Sequence, residues 1–280
     1  MQSAQSNRYP YLTERQVVLI LQLFRNLYRY RTMILALAAR DLQGRYAGTL
    51  AGIVWTFAHP VAVIFIFYFV FAIGFRSQGP GNTPFILWFV SGFVPWLFFN
   101  ESLTSITDSV VRNAHFIKKT VFPSEVLAAV HLTASLVPHG VFTVLLAGML
   151  AYYHVTFHLS MLLMLYFVFC TCVLVIGLGW LLSAIQVFYR DISHGLGIGL
   201  NLLFWATPIV WSPDNLPEQY QPILRYNPLD YIIQGYRGVL LSHQLPDAGQ
   251  TVYFWSVALF LLLTGSYVFS RLKPQFADVI

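Results

Sequence analysis

The chain has 280 residues, of which 57% are hydrophobic and 10% charged, against about 45–50% and 25% in a soluble domain. One water-soluble core of this size cannot bury that excess, so apolar surface must face lipid. The net charge of +5 lies in short stretches between apolar runs, which excludes a single nucleic-acid-binding face and fits membrane orientation instead.

Ahead of the first long apolar run, Val17, Leu21, Phe24 and Tyr28 fall at helical spacing, with Arg25 and Arg29 off that stripe. The apolar pieces are too short to cross a bilayer. They predict an amphipathic helix on the inner leaflet or, alternatively, a soluble helix packed on another protein. Arg25 and Arg29, with Arg40 and Arg45, are candidates for contact with anionic headgroups. This Arg-rich stretch is not expected to act as a cleavable signal. Gly44, Gly48 and Gly52 recur at four-residue spacing, a pattern that lets helix backbones approach within a membrane.

A stretch of about 20 apolar residues crosses the hydrocarbon. Six candidates follow, at 53–75, 85–99, 126–153, 159–187, 195–210 and 252–269, and none contains Asp, Glu, Lys or Arg. The fifth is short, ends at Pro208 and begins with alternating Gly195, Gly197 and Gly199. With six crossings, an inside N-terminus places thirteen Lys and Arg residues in the cytoplasm and leaves only Arg76, Arg225 and Arg237 outside, as the positive-inside rule requires. Between the fifth and sixth runs, residues 212–251 carry Pro213, Pro217, Pro222, Pro228 and Pro246 around short apolar pieces. Two short helices re-entering the outer leaflet fit, because irregular backbone at that depth needs shelter from protein.

The chemistry-bearing residues are sparse. There is no G-x-x-x-x-G-K-[ST] loop, H-E-x-x-H, paired-Cys zinc pattern or G-x-S-x-G, so the chain itself is not expected to hydrolyse ATP or to bind a metal or cofactor. Cys170 and Cys172 sit two apart in an apolar run and read as small apolar fillers. His131 and His139 are two helical turns apart, too far for one metal, and His59 beside Pro60 reads as a hydrogen-bonded kink. Without charge in the spans, energy for transport would come from a partner. Trp55, Phe65, Trp88, Phe93 and Trp96 are candidates to line a path on which sugar rings stack, set against an ordinary interfacial aromatic belt.

Four stretches carry a resemblance. They are Arg40, Asp41 and Leu42 with the run from Arg45 to Trp55 closed by Pro60; Gly92, Phe93, Pro95 and Trp96 with Glu101 and Ser102; Asn113 to Lys119 with Phe122 and Pro123; and Tyr189, Arg190 and Asp191 through Thr207, Pro208, Leu216 and Pro217 to Asn227, Pro228, Leu229, Tyr236 and Arg237. In this order they resemble the membrane subunit of ABC exporters of the type-two permease class, in the branch that exports lipid-linked polysaccharides such as O-antigen, capsule and teichoic acid. The resemblance implies a homodimer with a channel at its interface, bound to two copies of a separate ATPase subunit that holds ATP and magnesium. It also implies that Asn113, His115, Phe116, Ile117, Lys118 and Lys119 contact the ATPase. Arg225, Asn227, Pro228, Leu229 and Arg237 would belong to an exit gate. As nearly all the positive charge outside, the two arginines read as holding a pyrophosphate or pairing with Asp214, Glu218 or Asp230, set against an ordinary capping loop with snorkelling arginines.

The expected architecture is therefore an all-α integral membrane fold in one domain over residues 1–280. It comprises a cytoplasmic and interfacial region (1–50) and a six-span bundle (53–270), with short re-entrant periplasmic helices between spans five and six. It would sit in the bacterial cytoplasmic membrane with both termini inside, in contact with lipids and no nucleic acid. A drug or small-lipid exporter permease is the same-class alternative. A membrane-embedded polyprenyl-phosphate transferase is the alternative from another class, but the acidic residues show no closely spaced pair that would hold a metal and pyrophosphate.

Overall fold

A computed structural model describes residues 25–26, 28–44, 52, 54–119 and 122–280; those described residues are helices and connections, with no strand. Arg45, Gly48 and most of the Val17 to Tyr28 stripe lie outside them. The first helix, α1 (Arg31–Gly44), seats Ile34 and Ala38 against Val126, Val130 and Ala134. Arg25, Arg29 and Arg40 are exposed, as headgroup contact would need.

Helix α2 (Val54–Phe67) continues into a π-helical turn at Tyr68–Gly74. It stands almost free of the rest, anchored where Phe67 and Phe71 meet Phe85 and Phe89. His59 is exposed and makes no hydrogen bond among the described residues, contrary to the kink role its place beside Pro60 suggested. Pro60 itself is buried and packs inward.

At the centre lies α3 (Phe85–Arg112), buried along most of its length. It outruns the 85–99 run because Leu103, Ile106 and Val110 keep a buried stripe at helical spacing while polar residues fill the other face. Short α4 (Ala114–Lys119) follows, then α5 (Val126–Tyr152). A 3-10 turn at Leu159–Leu163 leads into α6 (Met164–Gln186). Helices α5 and α6 both pack on α3, and α6 packs most extensively on α10 (Ala248–Leu272).

Helix α7 (Asp191–Ala206) has 16 residues and buries only Leu200. Five helical segments are long and apolar enough to cross a membrane, Val54–Gly74, Phe85–Arg112, Val126–Tyr152, Leu159–Gln186 and Ala248–Val279; α7 is the one expected span that falls short. Its stop has a local cause. Pro208 disfavours a helical residue before it, and Thr207 is extended at ψ 136°. The three alternating glycines upstream remain helical, with open space where a Cβ would stand. Between α7 and α10 run α8 (Gln221–Leu224) and α9 (Pro228–Arg237), the latter extended by a π turn at Gly238–Ser242. A terminal α11 (Phe276–Val279) folds back on α4.

Close backbone approach occurs at Gly177 and Gly265, not at Gly44 or Gly52, which face open space. A Cβ on Gly265 would stand 2.1 Å from the Gly177 carbonyl oxygen, and one on Gly177 would meet the backbone of Leu262 at 2.6 Å. With no hydrophobic drive between helices in lipid, such contact supplies the association. Gly265→Leu is expected to cut the yield of folded, detergent-extractable protein several-fold, whereas Gly148→Leu on an open face leaves it unchanged. Size-exclusion profiles of the two variants provide the comparison.

Candidate functional sites

At the α7 to α9 junction, α9 buries Leu229, Tyr231, Ile232, Ile233, Tyr236 and Arg237 and packs on α3 and α6. Asn227 starts it. Its Oδ1 accepts the Leu229 backbone N–H at 3.0 Å while its Nδ2 donates to Thr207 Oγ1 at 2.8 Å. Pro228 occupies the first turn, where no N–H is needed.

At the other end of α9, Arg237 is 4% exposed. Its Nη1 donates to Pro208 O at 2.6 Å, Nη2 to Ile209 O at 2.7 Å, and Nε to Trp88 O at 3.2 Å. The guanidinium carbon lies 3.6 Å from the Trp88 ring centroid. The Pro208 and Ile209 carbonyls lie where the chain breaks after α7, so the planar fork of arginine caps them, while Trp88 O lies within α3 and also accepts Ser91 Oγ at 2.8 Å. A Cβ on Gly92 would come within 2.6 Å of Nη2.

The expectation that Arg237 faces a pyrophosphate or pairs with an acid is thereby corrected, since three of its N–H groups meet backbone carbonyls and its face lies on Trp88. Asp214 takes Ser212 Oγ at 3.1 Å and Asp230 takes Gln234 Nε2 at 3.1 Å. Burial pushes the Asp230 carboxyl up to about 6, against the smaller opposing pull of Gln234 and Arg237. Arg225 is exposed.

Further hydrogen bonds fasten α9 on its other sides. Tyr231 Oη pairs with Tyr166 Oη at 3.0 Å and Thr251 Oγ1 at 2.9 Å, and Trp255 Nε1 donates to Tyr166 Oη at 2.9 Å. Tyr236 Oη meets His139 Nε2 at 3.2 Å, and the His139 ring lies against Phe98 with centroids 4.6 Å apart. His139 is thus a partnered core residue.

The aromatic candidates divide. Trp88, Phe93 and Trp96 are buried within this one chain, because α3 is surrounded by its own helices, so they line no path open at its surface. Trp55 and Phe65, 51% and 65% exposed on α2, stay available.

At the opposite end of α3, Asn113 Nδ2 donates to Ser109 O at 2.8 Å and closes the helix. Helix α4 presents His115 and Lys118 outward and turns Phe116 and Ile117 partly inward. Phe116 lies between His115 and Phe122, with ring centroids 4.0 Å and 5.6 Å away, and the Arg40 guanidinium is 5.8 Å from its ring. Lys119 closes α4.

Two acidic joints escaped sequence reasoning. Asp108 Oδ1 accepts Gln186 Nε2 at 2.8 Å and Ser193 Oγ at 2.9 Å, while Oδ2 accepts Arg112 at 2.8 Å. Glu125 accepts Lys273 Nζ at 2.6 Å and Asn26 Nδ2 at 3.2 Å. Their only sequence signal is an acid at a span end, which does not name a partner.

Leaving buried carbonyls without the charged donor that satisfies them costs about 1–3 kcal/mol. Arg237→Gln is expected to lose roughly that much, and Arg237→Lys most of it, since an ammonium lacks the fork. Thermal unfolding of the purified variants measures the loss. An unchanged transition in both would show that the carbonyl cap is dispensable.

Comparison with known proteins places these features in context. The family description ABC-2 type transporter matches residues 32–241. The chain is 28% identical over 250 residues to the O-antigen export system permease protein RfbA of Klebsiella pneumoniae, covering 89% of this chain and 95% of that protein. It is 28% identical over 265 residues to the O-antigen export system permease protein RfbA of Myxococcus xanthus, covering 93% and 100%. To the polysialic acid transport protein KpsM of Escherichia coli it is 22% identical over 238 residues, covering 82% and 88%. With well over half of its length matched, this chain is a multi-pass membrane protein that belongs to the ABC-2 type transporter family.

Proposed function

We propose that this chain is the channel-forming permease subunit of an ABC exporter that carries a lipid-linked polysaccharide across the bacterial cytoplasmic membrane. The observation that carries the reading is the near full-length similarity to proteins named for O-antigen export and for polysialic acid transport. Two chains would form a homodimer with two copies of an ATPase subunit that binds ATP and magnesium. The exposed flanks of α2 and α7 support that arrangement, for they leave aromatic and aliphatic surface to face a second copy or lipid. Trp55 and Phe65 would then be the aromatics open to a channel.

In this reading α7 is the fifth of six crossings, and α8 and α9 enter the outer leaflet sheltered by α3 and α6. Both termini lie in the cytoplasm, where Arg25, Arg29, Arg40 and Arg45 meet headgroups. Because α9 is fastened on several sides, gating would fall to residues 212–226, where Ile223 and Tyr226 are exposed; Asn227, Pro228, Leu229 and Arg237 anchor that segment. Asn113 and residues 115–119 would form the ATPase contact, presented through His115 and Lys118.

Deleting the gene should abolish the surface polysaccharide while its lipid-linked precursor accumulates inside. Loss of drug efflux with normal surface polysaccharide would instead favour the small-molecule exporter. Topology has its own test. Single cysteines at Ser77, Tyr153 and Gln219, with Cys170 and Cys172 replaced, should react with an impermeant thiol reagent added to intact cells, and one at Asn113 should not; reaction at Asn113 would overturn the orientation. The paired change His115→Glu and Lys118→Glu is expected to release the ATPase or uncouple its hydrolysis from export while leaving the fold intact. Co-purification and hydrolysis assays would detect either effect, and normal coupling in the pair would remove α4 from the interface.

A further inference from the structure

We propose that the cavity between α1, α4 and the start of α5 binds the phosphate of an anionic membrane lipid. This cavity of about 210 Å³ is lined by Arg40 and Asp41 of α1, Arg112 at the end of α3, His115 of α4 and His131 of α5. The His131 side chain is 6% exposed, with Nδ1 3.3 Å from Asp41 Oδ1. Neither Nδ1 nor Nε2 has a hydrogen-bond partner among the described residues. A buried ring nitrogen without a partner carries a desolvation cost that a ligand oxygen would remove, an Nε2–H donating to it.

Charge decides which anion fits. Arg112 is paired with Asp108 at 2.8 Å, which leaves Arg40 as the fixed cation at the cavity. One fixed cation suits the single negative charge of a phosphodiester better than a dianion. Leu127 and Val130 form an apolar wall beside these groups, as an amphiphile requires. Arg40 also reaches towards Phe116 of α4, so a headgroup held here braces the interfacial helix against α4. The proposal needs only that α1 lie at a bilayer surface. It does not depend on the polysaccharide reading.

The test uses the full-length chain in nanodiscs of phosphatidylcholine with and without phosphatidylglycerol, followed by native mass spectrometry of retained lipid. Wild type is expected to retain phosphatidylglycerol over phosphatidylcholine. Arg40→Gln, at an exposed position, should lose at least about tenfold in retention, the scale of one charged hydrogen bond, and His115→Gln should lose a smaller part. A second arm uses lipid-depleted protein and inorganic phosphate alone, reading protection of His115 and His131 from diethylpyrocarbonate. Protection in wild type but not in Arg40→Gln, without lipid preference, would keep the phosphate site and assign its ligand to solution. Equal retention of the two lipids with no protection by phosphate would overturn the proposal. So would phosphatidylglycerol retention unchanged by both substitutions.

Discussion

A buried guanidinium sets the geometry of this protein where α7, α3 and α9 meet. Charge removed from water is costly unless hydrogen bonds and a polarisable neighbour offset the loss, and Arg237 has three carbonyls and the face of Trp88. Each of those partners exists because another local rule is broken. The carbonyls of Pro208 and Ile209 are available because Pro208 ends α7, and the guanidinium fits only because residue 92 has no side chain. The end of α7, the middle of α3 and the whole of α9 therefore determine one another. The hydrogen bond from Asn227 to Thr207 repeats the tie from the opposite end of α9.

The end of the molecule around α4 is organised differently, by carboxylates at helix ends. Asp108 draws α6 and α7 to α3, and Glu125 draws the C-terminal segment and the residues before α1 to the start of α5. These ties cross between elements far apart in sequence and lie beside α4. Helix α4 follows directly on α3, and the Asp108 joint ties that end of α3 to α6 and α7.

The helical, membrane-crossing character of the chain was legible because apolar runs of the right length are a consequence of bilayer thickness alone. The cap of α9 by Asn227 and Pro228 was visible as the resemblance motif, though its role in holding α7 was not. Arg237 misled for a physical reason: an arginine between prolines in a half-polar segment has the same local pattern whether it meets solvent or three distant carbonyls. The same limit applies to Trp88, Phe93 and Trp96, whose clustering on α3 signals burial equally well inside one chain or at a channel wall. Helix packing at Gly177 and Gly265 was hidden because Gly265 is the single glycine of its run and Gly177 is joined only by Gly179 two residues on, and only the pairing of α6 with α10 brings them together.

The 16 residues of α7 measure about 24 Å at helical rise, whereas the hydrocarbon of a typical bilayer is about 30 Å thick. A crossing made by such a helix leaves a hydrophobic mismatch of several ångströms. Lipid relieves it by thinning locally, at a cost of fractions of a kcal/mol per ångström. If α7 crosses, as the proposed arrangement has it, the membrane beside it would be narrower than elsewhere around the protein, and a hydrated sugar chain passing along that helix would meet a shorter apolar barrier.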